Sequence, residues 1–98
     1  MFIVLLEFAD QRAQAAKFMD GHREWIQRGF DEGVFLLAGS LQPGRGGTIV
    51  AHATTRAELQ RRVDADPFVI ERVVSAQIHE VAPSKVDERL QFLLGGAA

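Results

Sequence analysis

Ninety-eight residues are enough for one small domain. Hydrophobic residues make up 47 % and charged residues 24 %, the balance of a folded chain with a core and not of a disordered one. The formal charge is −2, and eleven basic residues are spread from Arg12 to Arg89, which excludes nucleic acid and an anionic membrane as main partners. With no cysteine there are no disulfides, thiolate metal sites or cysteine nucleophile, and the expected location is cytoplasmic. The opening Met-Phe-Ile-Val-Leu-Leu-Glu has no basic leader and too short an apolar run for a secretory signal.

Phe2 to Phe8 is a short apolar run rich in β-formers and predicts a buried strand. Phe2, Val4, Leu6 and Phe8 share one face; Ile3, Leu5 and Glu7 share the other. Asp10 is a candidate N-cap for a helix in which Ala15, Phe18, Met19, Trp25, Ile26 and Phe30 recur near the helical period. Asp20-Gly21 suggests a kink, Gly29 a close approach to the sheet, and Gly33 a left-handed C-cap. Val34 to Leu41 and Thr48 to Ala53 read as a hairpin around the turn-rich Leu41–Gly47 loop.

Thr55-Arg56-Ala57-Glu58 is a capping box, and Ala57, Leu59 and Val63 are the expected core positions of the second helix. That helix must end by Asp66, because a residue before proline disfavours helical geometry. Pro67 to Arg72 allows one further turn, and Val73 to Val81 is the fourth strand. Ser84 then caps an expected last helix with Val86, Leu90, Leu93 and Leu94 as its stripe, and the Gly95–Ala98 tail is expected to fray. The order β-α-β-β-α-β plus a C-terminal helix predicts an α+β, ferredoxin-like fold, with residues 1–83 as the domain and 84–98 as helix and tail. Helices cover one sheet face. The other carries Ile3, Leu5, Glu7, Val50, His52, Ser75, Gln77 and His79, half apolar, which predicts a homodimer across it.

Of the three histidines, His22 is the best placed, between Phe18 and Trp25/Ile26 on the apolar stripe of the first helix. It reads either as a half-buried histidine bonded to a backbone carbonyl or as a general acid or base. Asp66 likewise has two readings. It can cap the turn that starts at Pro67, or it can accept the imidazole proton of His22 and fix its tautomer. Asp64 competes for the second role; Pro67 fixes the backbone beside Asp66 and favours the latter. Glu7, Ser40 and Arg45 are candidates for orienting an anionic substrate. Ser40 lacks the Gly-x-Ser-x-Gly surroundings of a nucleophile. The Gly44-Arg45-Gly46-Gly47 loop can offer Arg45 and backbone N–H groups to an anion, but it lacks the lysine and helix of a P-loop. The spacing of Glu7, His52 and His79 is not diagnostic of a metal set. The sequence calls for no metal and no cofactor.

Together, His22-Arg23-Glu24-Trp25, Gly33 with Phe35-Leu36-Leu37-Ala38-Gly39-Ser40, Gly46-Gly47, Asp66-Pro67-Phe68 and Ile78-His79-Glu80 resemble the YciI-like (YCII-related) proteins, from about Phe2 to Pro83. The resemblance implies a dimeric α+β barrel whose pocket holds a catalytic histidine matching His22 and an aspartate matching Asp66. Related activity on chlorinated aromatic ring-cleavage intermediates implies elimination or isomerisation. Two departures stand out: Ser40 where the family often has proline after the glycine, and the extension after Pro83. The resulting expectation is a homodimeric enzyme using His/Asp acid–base chemistry (elimination, isomerisation or hydrolysis) on a small, anionic or aromatic-derived ligand. The alternative is a non-catalytic module that binds a metabolite or protein through the same dimer. An oxygenase of the related barrel group would need an aromatic or haem pocket that the sequence does not disclose.

Overall fold

The chain lays down β1 (Phe2–Phe8), a single 3-10 turn (Arg12–Gln14), α1 (Ala15–Asp31), β2 (Phe35–Leu41), β3 (Gly46–Ala51), α2 (Arg56–Asp64), α3 (Pro67–Ile70) and β4 (Val74–Glu80). A second 3-10 turn (Glu88–Leu90) and α4 (Phe92–Gly95) follow. The computed structural model describes residues 1–95, so the expected fraying of Gly96, Ala97 and Ala98 lies outside the described residues. The sheet is antiparallel in the order β2-β3-β1-β4, the ferredoxin-like arrangement expected.

Alternation along β1 sets the layers. Phe2, Val4 and Leu6 are buried under the helices, and their cross-strand partners Ala51 and Ile49 on β3 point the same way. Trp25 from α1, Leu59 and Val63 from α2, Phe68 from α3, and Val73 and Val74 complete the core. Burying each such side chain contributes about 1.5–3 kcal/mol. On the open face the expected register holds: Ile3 lies between Val50 and His79, Leu5 is opposite Gln77, and Glu7 is opposite Ser75. A bulge between Phe35 and Leu37 shifts β2, setting Leu37 opposite Val50 with half its surface exposed.

Several local expectations need correction. Asp10 caps no helix: the N–H groups of Ala9 and Gln11 bond to the carbonyls of Val73 and Arg72, which keeps the chain extended and delays the helical turns. There is no break at Gly21, because α1 runs uninterrupted from Ala15 to Asp31. Its glycine serves packing, since a Cβ there would stand 3.2 Å from Pro67 Cγ of α3. Gly29 meets the sheet as expected, and a methyl group at this position would fall 2.1 Å from the Phe35 ring. Phe30 lies at the edge of the stripe and stays 38 % exposed. On α2, Ala57 is exposed because only Leu59 and Val63, four residues apart, share the buried face. Ser84 starts no helix; Asp87 caps the turn at Glu88–Leu90, so the C-terminal extension is two short turns and not one amphipathic helix.

Candidate functional site

Local chemistry first explains where Asp66 sits. Thr55 Oγ1 accepts from the Glu58 N–H at 3.1 Å and starts α2, and Pro67 forces its end. Asp66 then adopts extended geometry and caps α3, its Oδ1 accepting from the Phe68 N–H at 3.0 Å. The residue is fully buried, so α3 holds a carboxylate inside the protein at a fixed position.

His22 is brought to it by α1. Gly21 of α1 leaves room for Pro67 of α3, one position from each partner, where a Cβ would stand 3.2 Å from Pro67 Cγ. His22 Nδ1 lies 2.8 Å from Asp66 Oδ1. A carboxylate only accepts, so Nδ1 carries the proton and donates, leaving Nε2 as the nitrogen able to take a proton. The imidazole is 13 % exposed. It lies flat on the Phe68 ring, with centroids 4.0 Å apart and planes 4° from parallel, and stacks more loosely with Trp25 at 5.9 Å. Trp25 is itself anchored, its indole N–H donating to the Arg62 carbonyl at 2.8 Å. Among the described residues, the buried Asp66 Oδ2 accepts no hydrogen bond, and His22 is the one ionisable side chain bonded to this carboxylate.

The imidazole lines a cavity of about 350 Å³ between α1 and the sheet. Its walls are mainly apolar, with Leu6, Phe8, Met19, Ile26 and Phe68 among them, and Ser40, Gly46 and Gly47 lie along the β2–β3 side. The volume is at the small end of ligand pockets. Two larger grooves, of about 490 and 610 Å³, hold no hydrogen-bonded histidine–carboxylate pair.

The structure places His22 and Ser40 on the wall of one cavity, holds Asp66 buried behind His22 and off that wall, and leaves Glu7 and Arg45 outside it. Those two face each other at 3.7 Å, both well exposed, outside the cavity walls. Asp64, the competing acid, is exposed and accepts from Gln60 Nε2 at 2.9 Å. His52 and His79 lie away from the pair; His52 meets the Phe92 ring edge-on at 5.5 Å. Among the described residues no group of three His, Asp or Glu stands close enough to hold a metal ion. Sequence reasoning missed the stacking role of Phe68 and the lining role of Arg23. Met19 and Ile26 were readable, three and four residues from His22 on the same stripe. Arg23, about 100° around the helix from His22, carried no such signal.

Known proteins agree with the fold. A family model described as a YCII-related domain matches residues 1–81. No curated protein matches the sequence significantly. Among solved structures, 5-chloro-2-hydroxyhydroquinone dehydrochlorinase from Burkholderia phenoliruptrix, in complex with 2,5-dihydroxybenzoquinone, has a TM-score of 0.68 at 11 % identity. The match covers 91 % of this chain and 98 % of that one. At that identity the likeness is one of fold.

Proposed function

The chain belongs to the YCII-related domain family, and from that premise we propose a small-molecule enzyme in which His22 and Asp66 carry acid–base chemistry. The carrying observation is the 2.8 Å contact from His22 Nδ1 to a fully buried Asp66, at the wall of a cavity large enough for one ring. In this reading Nε2 takes a proton from a carbon acid or hydroxyl of the ligand. Asp66 stabilises the imidazolium that forms, and the stack on Phe68 keeps the ring from turning away. In an elimination the electron pair released by deprotonation expels a leaving group as its anion. In an isomerisation the imidazolium returns the proton at another atom, and in a hydrolysis the proton comes from water. The neighbour's dehydrochlorination of a hydroxylated ring makes elimination the first reaction to test.

The assembly proposed is a homodimer through the open sheet face, where Ile3, Leu5, Val50 and the exposed Leu37 form an apolar strip beside Gln77 and His79. Chloride release from a chlorinated hydroxyquinol tests the chemistry. His22→Gln is expected to lower the rate about 10²- to 10⁴-fold while the protein stays folded. A folded His22→Gln protein with undiminished turnover would remove His22 from the mechanism. A wild type that binds ring ligands and turns over none would favour the non-catalytic module.

A further inference from the structure

One role left open by the separation of Glu7 and Arg45 is the recognition of charge. Among the residues lining the His22 cavity, Arg23 is the one side chain with a permanent charge, and no Asp or Glu lines it. Arg23 makes no hydrogen bond or ion pair among the described residues. Several other arginines are engaged: Arg12 with the Gly44 carbonyl, Arg45 with Glu7, Arg56 with the Ile78 carbonyl, and Arg62 with Glu32. Thr48 also lines the cavity, but its hydroxyl is spent on the Val4 carbonyl at 3.0 Å. The cavity therefore combines apolar walls, one imidazole and one exposed, uncommitted arginine, in a protein whose overall formal charge is negative.

We propose that Arg23 is the specificity-determining residue of this cavity and selects a ring-sized ligand bearing an anionic oxygen group, a carboxylate or a ring oxyanion. The apolar walls take the ring, and the guanidinium takes the anion through paired N–H donors. Neutral rings of the same shape leave that cation without a partner and bind less well. The inference rests on the reading of the cavity as a ligand site, and it does not depend on turnover.

The test is a titration of the full chain with benzoate and with its neutral isostere benzamide, followed by NMR shifts of the cavity residues. Phenolate at high pH against benzyl alcohol is the arm that distinguishes a ring oxyanion from a carboxylate. Wild type is expected to bind an anionic probe about tenfold more tightly than its neutral counterpart. Arg23→Gln should abolish that preference, and Arg23→Lys, which keeps the charge but not the paired donors, should keep part of it. A preference that survives in Arg23→Gln, equal binding of the two probes by wild type, or no shift at the cavity with any probe overturns the proposal. Loss of the preference in Arg23→Gln while His22→Gln still turns over substrate would sustain Arg23 and sink the acid–base reading. Equal binding of the probes by wild type, with turnover lost in His22→Gln, would do the reverse.

Discussion

Asp66 Oδ1 accepts two hydrogen bonds at once, from the Phe68 N–H and from His22 Nδ1. The contact expected of a cap and the contact expected of a pair are therefore made by the same atom. Substitution to alanine removes a buried acceptor from both donors, with an expected loss of about 1–3 kcal/mol in stability seen by thermal denaturation. Asp66→Asn is the cleaner probe of role: its amide oxygen can keep both bonds while the charge disappears. It should cost less stability than alanine and still slow turnover about 100-fold or more, and equal rates for this variant and wild type would deny the charge a part. Phe68→Leu keeps apolar volume but removes the flat face under the imidazole. The expected result is a modest stability loss, about 0.5–1.5 kcal/mol for the lost ring pair, with a larger fall in kcat than in affinity.

The helices reach their positions through their glycines. A methyl at Gly29 would overlap the edge of the Phe35 ring, so Gly29→Ala is expected to destabilise by about 1–3 kcal/mol or more, read from denaturant midpoints. Gly21→Ala is the subtler change. At 3.2 Å from Pro67 the neighbours must give by a little, and the expected effect is a near-normal melting temperature with weakened activity, because α1 carries His22 away from α3. The Asp87 carboxyl, held below its ordinary value by the Arg89 side chain and backbone N–H, caps the Glu88–Leu90 turn. A depressed folded value means that this capping contribution is present above the ordinary carboxylate range. It fades as pH falls through the folded value, which amide exchange at Arg89 would register.

Element type was readable wherever period and punctuation coincided, as at Thr55-Glu58, Asp66-Pro67 and the alternation of β1. It failed where tertiary bonding overrode local preference: Asp10 has good capping chemistry, yet its flanking N–H groups bond to Arg72 and Val73. The same limit governed the site. His22 was readable from its helical stripe and Asp66 from its proline. Arg23 was not, because which neighbour of a helical residue also borders a cavity depends on the sheet opposite.

At the scale of the molecule, the cavity and the C-terminal extension lie at opposite ends of the sheet. The extension reaches His52 beside the Phe2–Ala51 end of the strands, while the cavity borders Leu6 and Gly47 about 13 Å further along. Ending the chain after Pro83 is expected to leave the His22–Asp66 pair and turnover intact, with a melting temperature lowered by a few degrees at most. Strong loss of activity would instead tie the extension to the site. The open face makes a separate prediction. Leu5→Lys and Leu37→Lys should convert a dimer to monomers in sedimentation velocity without unfolding them, and a monomeric wild type would end the dimer proposal. No helix of the described residues is long and apolar enough to cross a membrane.

Residues 66 to 68 have one more consequence. The carboxylate that meets the imidazole, the proline against Gly21 and the ring beneath His22 are consecutive, and the cap at Asp66 ties the first to the third. They travel as a single cartridge. Breathing of α3 against the sheet would shift acid, proline and platform together, so the alignment within the cartridge survives small motions that would scramble a site drawn from three separate loops. The tolerance belongs to one side only: His22 comes from another element, 44 residues away in the chain, and the joint between α1 and the cartridge is where alignment can be lost.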